Sequence, residues 1–495
     1  MRFFNFTLLF CLFVCSYAGN HTLSAQVYKG NPQRFIDNEL KTDSLFNNAI
    51  VGICAMDKNG EVIAEWNSNF PMLTASTMKT ITTGLGLACL GPDFRYSTRI
   101  AYTGEIKDSV LVGDLYIIGG GDPTLGSRDT VAFPIDSIFG IWTEAVKNYG
   151  IKRINGHIVA DDSYFVREQM PDTWSWSNFG AYYGSAPSGL SFCENVQYFT
   201  LKPGCKPGDK AVVKAVYPYV PGLEILNEVT TAKAGTGDRS SYYVQDLSPV
   251  SRYSGTVPLG RDSLTSDNSN RFPHLSCGYH FREYLLRNGI KSDPEIRDIK
   301  DCPVSTDTAP IFIAETYSPE LWKIVNVTNR ISNNFYAETI LKTIGKKMTG
   351  VGSYDSSIVA VNRLLKEFGV NTTGFTMCDG SGLSRQNYVS PKFFCNYYTM
   401  MSENGIFALF FESLPYPGGS GTLKTVLKDK DKRTKERIHA KSGSLSGVRC
   451  YAGYVEGGSR SGLIRFAILV NNYSVPTSRI QPKIERFMLE LARTR

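Results

Sequence analysis

The segment Thr74-Ala75-Ser76-Thr77-Met78-Lys79 places a serine and a lysine three residues apart. Residues three apart are neighbours on a helix surface, so the Ser76 hydroxyl and the Lys79 amine are predicted to touch. A buried helix is indicated because apolar residues follow at spacings of three and four, at Met78, Ile81, Leu85 and Cys89. A serine needs a base to remove its proton, and a desolvated lysine can be that base. A helix N-terminus also favours developing negative charge.

Two further motifs supply what acyl transfer by such a serine requires, namely a proton path to the leaving amine and a cation for a substrate carboxylate. Ser332-Asn333-Asn334 falls between two predicted helices, so its hydroxyl and its amide can face one cleft. Lys441-Ser442-Gly443 precedes the last two predicted strands. On an edge strand its lysine and hydroxyl would line the cleft, while Gly443 leaves room for a substrate backbone.

A more literal Ser-Asp-Asn occurs at Ser266-Asp267-Asn268, inside a polar stretch without flanking amphipathic helices. Turn-forming residues cluster in this way by default, so we interpret these residues as a surface turn. Ser332 is the better candidate because helices on both sides can hold it rigidly.

The composition is that of an ordinary soluble globular protein. The 495 residues predict two or three domains, and 42% hydrophobic with 20% charged residues indicates a globular chain. The net charge of +7 comes without a basic stripe interleaved with aromatic residues, which argues against nucleic-acid binding. No Cys-x-x-Cys occurs and only five histidines are present, so neither a metal nor another cofactor is predicted.

Residues 1–25 resemble an export signal. Arg2 supplies the positive charge, and Phe3 to Cys15 is mostly apolar but too short to span a bilayer. We therefore expect an exported mature protein without a transmembrane anchor. The eleven cysteines include Cys11 and Cys15 in this leader, which leaves an odd number of nine. Two interpretations stay open for them: buried free thiols, or disulfides between Cys193 and Cys205 or between Cys277 and Cys302.

The order of predicted elements indicates an α+β fold with an insertion. A hairpin over Ala49–Ala64 and two strands over Arg449–Val455 and Leu463–Asn471 predict one sheet built from both ends of the chain. Helices are predicted between them, the first capped by Ser318 and the fourth by Ser390. We assign residues 26–92 and 310–495 to one discontinuous domain. Residues 93–309 are assigned to a β-rich insertion, which two subdomains could make up.

Taken together, the three motifs carry a family resemblance. Ser-x-x-Lys, Ser-x-Asn and Lys-Ser-Gly in this order resemble the signature of penicillin-binding proteins and serine β-lactamases. The long separation between Ser76 and Ser332 resembles the D-alanyl-D-alanine carboxypeptidase/endopeptidase family of low-molecular-mass (class C) penicillin-binding proteins. Other stretches match that family too: Gly113–Tyr116, Gly119–Leu125, Asp161–Ser163, Asp379–Arg385 and Ser420–Leu423.

The resemblance implies a β-lactamase/transpeptidase-like domain, an antiparallel sheet flanked by helices with a helical subdomain, and a serine hydrolase mechanism. Ser76 would attack the carbonyl between two D-alanines of a peptidoglycan stem peptide and form an acyl-enzyme. Lys79 would take its proton, and Ser332 with Lys441 would pass one to the leaving D-alanine. β-Lactams would acylate Ser76 as covalent inhibitors.

The resemblance also assigns substrate contacts and a location. Asn334 would orient the substrate amide, and Lys441, Ser442 and Gly443 would border the terminal carboxylate and backbone. The backbone N–H groups of Ser76 and Ser444 would form the oxyanion hole. Peptidoglycan as substrate places the protein outside the cytoplasm, in the periplasm. Carboxypeptidase action and endopeptidase action on cross-links both remain open.

One departure and two rival functions bear on this interpretation. The family often has an acidic residue near Asn178, and its absence leaves the preferred third residue of the stem peptide open. A β-lactamase would need a deacylation base, for which Glu224-Ile225-Leu226-Asn227 is one residue short of the usual pattern. The other rival is a non-catalytic wall-binding or β-lactam-sensing protein, against which the three intact motifs argue.

Overall fold

The computed structural model describes residues 32–246, 248–292, 295–302 and 309–494, so the predicted leader over residues 1–25 lies outside the described residues. The α-helices are α1 (Pro32–Thr42), α2 (Lys79–Leu90), α3 (Ile135–Asn148), α4 (Pro273–Arg287), α5 (Leu321–Ile331), α6 (Asn334–Thr349), α7 (Tyr354–Glu367), α8 (Pro391–Glu403), α9 (Phe407–Ser413), α10 (Lys432–Glu436) and α11 (Thr477–Ala492). Among the residues described, no helix combines the length and the apolarity needed to cross a membrane.

The strands belong to several sheets and follow the chain in this order: β1 (Ile50–Met56), β2 (Val62–Trp66), β3 (Met72–Leu73), β4 (Ser97–Tyr102), β5 (Glu105–Lys107), β6 (Val110–Val112), β7 (Leu115–Gly119), β8 (Arg153–Asn155), β9 (Ile158–Asp161), β10 (Val196–Lys202), β11 (Val212–Tyr217), β12 (Glu224–Ala232), β13 (Ser241–Tyr243), β14 (Val250–Pro258), β15 (Leu264–Ser269), β16 (Lys291–Ser292), β17 (Ile296–Asp298), β18 (Ile311–Tyr317), β19 (Phe375–Thr376), β20 (Tyr388–Val389), β21 (Ile438–Leu445), β22 (Val448–Glu456) and β23 (Leu463–Asn471).

The central sheet joins the two ends of the chain. Its five antiparallel strands lie in the order β2-β1-β23-β22-β21, and β1 pairs with β23 so that Ile53 faces Ile468 across the ladder. The predicted N-terminal hairpin and the predicted C-terminal strands are confirmed by this pairing. β21 is an edge strand, as expected for Lys441-Ser442-Gly443, so one side of it is open.

Helices cover both faces of this sheet because successive side chains of a strand point to opposite faces. On one face Cys450 and Tyr454 of β22 and Leu469 of β23 join a core to which helices α2 and α5–α9 contribute. On the other face Tyr451 and Ile468 pack in a second core with α1 and α11. The antiparallel sheet between helices confirms the predicted α+β fold class.

The middle of the chain builds smaller sheets. A five-stranded sheet has the order β17-β9-β7-β4-β18, and helices α3 and α4 share its apolar core. Its edge strand β18 lies just beyond residue 310. Two three-stranded sheets, β11-β10-β15 and β12-β14-β13, meet around Phe199 and Tyr253, whose ring centroids are 5.3 Å apart.

Two local predictions are wrong. Ser318 does not cap α5, which begins at Leu321 with Glu320 as its N-cap. The Ser318 hydroxyl instead accepts from the backbone N–H of Tyr96, so these residues continue the pairing of β18 with β4. The Ser266–Asn268 stretch is not a surface turn but part of β15, in which Asp267 faces Tyr198 of β10. Pairing with a distant strand overrides its local turn preference.

The described cysteines are free thiols and form no disulfides. Neither Cys193 with Cys205 nor Cys277 with Cys302 is bonded, so both suggested disulfides are wrong. Cys193 and Cys277 are buried in the apolar core to which α3 and α4 contribute, whereas Cys205 is exposed. Apolar burial is an ordinary environment for a cysteine, which behaves as a small hydrophobe.

Candidate active site

Ser76 lies at the start of a buried helix, on a short 3₁₀ turn over Ala75–Met78 that runs directly into α2. Ala75 adopts a φ of +45° although it is not glycine, and its side chain is buried. Such backbone conformations persist where the surrounding structure holds them, often at functional sites. The turn leaves Ser76 partly exposed while Lys79, the first residue of α2, is fully buried.

The Lys79 amine has three oxygen neighbours. Its Nζ lies 2.9 Å from Ser76 Oγ, 2.7 Å from Asn334 Oδ1 and 2.8 Å from the carbonyl oxygen of Ser381. The last two atoms can only accept, so they take two N–H groups of the amine. The third position of a neutral amine is a lone pair, and it faces the Ser76 hydroxyl.

Burial lowers the pKa of Lys79 to about 7, against the opposing influence of Glu338 and Asp379, whose negative charges favour the ammonium. A lysine with this pKa is substantially neutral near pH 7, unlike an exposed lysine. The geometry therefore provides a base within hydrogen-bond distance of a hydroxyl.

A buried loop after β19 completes the surroundings of Lys79. The carboxylate of Glu338 accepts from the N–H groups of Gly380 and Ser381, at 2.9 and 2.7 Å, and fixes the carbonyl that faces Lys79. Burial and the neighbouring Asp379 raise the pKa of Glu338. The sequence analysis did not select Glu338, although it follows Asn334 by four residues on α6 and therefore shares its helix face.

Asp379 organises the same loop. Its two oxygens accept four hydrogen bonds, from the backbone N–H groups of Gly382 and Ser384 and from the side chains of Asn387 and Trp174. A buried carboxylate is stable only when it is bonded in this way. Trp174 belongs to the middle region of the chain, so that region reaches the core of the site. The sequence suggested this loop only through the resemblance.

The second motif connects α5 to α6. Ser332 ends α5 in the left-handed conformation, with φ +63°, and its Oγ accepts from Lys441 Nζ at 2.9 Å. Asn334 begins α6; its Oδ1 faces Lys79 and its Nδ2 donates to the carbonyl of Tyr183 at 2.9 Å. The structure thus brings the first and second motifs together around one amine.

Lys441 is the second buried lysine of the site. Besides Ser332, its Nζ donates to the carbonyl of Ser442 at 2.9 Å. Its pKa is lowered well below the ordinary value by burial, then by the positive charges of Lys79 and Arg449. The charge of Lys79 therefore disfavours the charged form of Lys441, and each of the two amines faces a serine hydroxyl.

The third motif brings the edge strand against the nucleophile. A Cβ added to Gly443 would lie 2.6 Å from the carbonyl oxygen of Thr74 and 3.0 Å from the backbone nitrogen of Ser76. Only glycine permits this close approach of β21. Ser442 is buried beside Lys441, and Ser444 is exposed at the open end of the strand.

Other residues considered from the sequence lie elsewhere or have structural contacts. Glu224 begins β12 of the β12-β14-β13 sheet, where its backbone bonds to Pro249 and Ser251. Asn178 ends a short 3₁₀ turn after Ser175. Within the described parts of the chain, no cluster of three or more His, Cys, Asp or Glu side chains could hold a metal ion.

The chain is similar to known carboxypeptidases. The chain is 28% identical over 449 residues to the D-alanyl-D-alanine carboxypeptidase of Actinomadura sp. (strain R39), covering 88% of this chain and 80% of that protein. It is 24% identical over 463 residues to the D-alanyl-D-alanine carboxypeptidase DacB of Haemophilus influenzae, covering 90% of each.

The crystal structure of penicillin binding protein 4 (dacB) from Haemophilus influenzae superposes with a TM-score of 0.79 at 22% identity, covering 92% of this chain and 98% of that one. At this identity the match shows a shared fold. Residues 33–493 match the family described as D-Ala-D-Ala carboxypeptidase 3 (S13). The resemblance stated from the motifs is thereby confirmed, and the chain belongs to the D-Ala-D-Ala carboxypeptidase 3 (S13) family.

Proposed function

We propose that the protein is a serine D-Ala-D-Ala carboxypeptidase that shortens peptidoglycan stem peptides. The observation that carries this proposal is that the Lys79 amine, which can be neutral, lies 2.9 Å from Ser76 Oγ. Its other two hydrogen-bonding positions are occupied by Asn334 Oδ1 and the Ser381 carbonyl oxygen. Membership of the S13 family and the two carboxypeptidase relatives support the same activity.

In the proposed reaction Ser76 attacks the carbonyl carbon of the D-Ala-D-Ala peptide bond while Lys79 takes the hydroxyl proton. The bond to the leaving D-alanine then breaks, and its nitrogen receives a proton from Ser332, whose hydroxyl regains one from Lys441. Exchange with solvent then returns the proton held by Lys79 to Lys441. Water hydrolyses the ester to release the shortened peptide and restore Ser76. Asn334 orients the substrate amide.

Edge strand β21 supplies the proposed substrate contacts. Lys441 and Ser442 bind the terminal carboxylate, whose negative charge favours the ammonium form of Lys441. Gly443 lets the peptide backbone run alongside. The backbone N–H groups of Ser76 and Ser444 stabilise the oxyanion, an effect worth about 3–4 kcal/mol per donor in comparable hydrolases. The close approach of Gly443 to Ser76 supports this assignment because it brings the two donors onto one side of the cleft.

β-Lactams are proposed as covalent inhibitors that acylate Ser76. A structure of the Haemophilus influenzae protein in complex with a β-lactam supports this, since it has the same fold with a TM-score of 0.74. We further infer an exported, periplasmic protein from the leader at residues 1–25. Residues 26–92 and 310–495 are proposed as the catalytic domain, with 93–309 inserted, and the β1–β23 pairing supports that division.

The test is D-alanine release from an N-acylated tripeptide ending in D-Ala-D-Ala. We expect release by the wild-type protein, none by Ser76→Ala, and strongly reduced release by Ser332→Ala. Ser266→Ala is the matched control because Ser266 opens the literal Ser-Asp-Asn stretch, on β15. The proposal would be overturned if only Ser266→Ala lost activity. It would also be overturned if the wild-type protein released no D-alanine.

A further inference from the structure

A strained turn over residues 193–195 contacts the second motif, Ser332-Asn333-Asn334. Cys193, Glu194 and Asn195 have φ values of +53°, +56° and +53°, and none of them is glycine. Left-handed backbone is unfavourable for each of them, and three in succession are held only by surrounding contacts. Strain of this kind collects where function requires a fixed geometry.

Hydrogen bonds on both sides lock this turn. The Asn195 side chain donates to the carbonyl of Ala186 at 2.8 Å and accepts from the N–H of Phe192 at 3.1 Å. The N–H of Cys193 donates to the carbonyl of Leu125 at 2.9 Å. The turn is therefore rigid, and so is the starting point of the Glu194 side chain.

The Glu194 carboxylate joins the middle region to the active-site loop. Its Oε2 accepts from Asn333 Nδ2 at 2.7 Å, and its Oε1 accepts from Ser127 Oγ at 2.6 Å. Ser127 Oγ in turn accepts from the hydroxyl of Tyr336 on α6 at 3.0 Å. Hydrogen bonds to a charged acceptor are stronger than neutral ones, so this contact restrains Asn333 firmly.

Asn333 stands between the two residues of the motif. It is the N-cap of α6, where its Oδ1 accepts from the N–H of Tyr336 at 3.0 Å. With Oδ1 fixed by the helix and Nδ2 fixed by Glu194, the Asn333 side chain spans from α6 to the strained turn. Ser332, which precedes it, has a φ of +63°, so the backbone that links α5 to α6 is conformationally restricted.

We propose that Glu194 is a positioning residue that fixes Ser332 and Asn334 for acyl transfer through Asn333. The inference rests on the proposed function, in which those two residues act on the substrate. Glu194 itself touches neither the nucleophile nor its base, and it acts through the side chain between them. The middle region also holds Asn334 from its other side through the carbonyl of Tyr183.

The test measures the second-order rate of acylation by a penicillin in the full-length exported protein. Glu194→Ala is expected to lower this rate about ten- to hundredfold, as a displacement near 1 Å does in other enzymes. Glu194→Gln is expected to stay within about threefold of wild type because its carbonyl can still accept from Asn333. Glu228→Ala, which loses only an exposed ion pair with Arg252, is the control.

Asn333→Ser gives an independent readout. Serine is a good N-cap, so α6 keeps its cap while the amide that Glu194 holds is lost. We expect Asn333→Ser to slow acylation as Glu194→Ala does, and the double variant to be no slower than either. This comparison stands even where Glu194→Ala lowers the melting temperature.

Two results would overturn the inference while leaving the proposed function in place. One is wild-type acylation rates in Asn333→Ser and in folded Glu194→Ala. The other is a double variant whose acylation rate falls by the product of the two single-variant factors, since independent effects add in free energy. A wild-type protein that is not acylated at all would instead overturn the proposed function and the inference together.

Discussion

The pH dependence of acylation follows from the burial of Lys79. Only the neutral amine can accept the Ser76 proton, and burial lowers the pKa of Lys79 to about 7. The neutral fraction then rises from about 9% at pH 6 to about 91% at pH 8 and is nearly constant above it. We expect the acylation rate constant to rise about tenfold between these values and then reach a plateau.

An exposed lysine would behave differently. With an ordinary pKa near 10.4 the rate would rise about a hundredfold from pH 6 to pH 8 and about tenfold more by pH 9. The assay is stopped-flow or quenched-flow acylation by a chromogenic β-lactam, with Ser76→Ala to subtract base hydrolysis. A rate that does not change between pH 6 and 8, or one that still rises tenfold per unit at pH 9, would refute Lys79 as a buried, neutral base.

Three substitutions test the packing around the site. Gly443→Ala should lower acylation at least about tenfold, because its new Cβ would lie 2.6 Å from the Thr74 carbonyl and push β21 off the nucleophile; an unchanged rate would contradict this. Glu338→Ala should destabilise the fold by about 2–5 kcal/mol in urea unfolding, because two buried N–H groups lose their acceptor; a change under about 1 kcal/mol would argue against it. Trp174→Phe should lower the free energy of unfolding by about 1–3 kcal/mol in the same assay, because buried Asp379 loses a hydrogen-bond donor. Trp142→Phe, which loses a hydrogen bond to Thr316, is the control for loss of an indole N–H away from the site.

The fold was predictable where local pattern and chain order suffice. The hairpin over Ala49–Ala64, the Ser390 cap of α8 and the edge position of β21 were each predicted from neighbouring residues, and the structure agrees. The prediction failed at Ser266–Asn268 because β10, its partner strand, is far away in the chain. No local signal distinguishes such a strand from a polar turn.

The site residues, like the fold, were predictable only where the signal is local. Ser76, Lys79, Ser332, Asn334 and Lys441 were selected because their motifs are short and ordered, and the structure brings their side chains together. The partners that hold them could not be selected so easily. The Trp174, Tyr183 and Glu194 contacts join residues that are far apart in the sequence, and only the folded chain reveals them.

Mass spectrometry after mixing the protein with a penicillin shows directly whether Ser76 is the nucleophile. We expect a stable single adduct with the mass of the intact drug, on the peptide that contains Ser76, and none in Ser76→Ala. Lys79→Met should form the adduct far more slowly while keeping the fold. An adduct on another residue, or no adduct on a folded protein, would contradict the account.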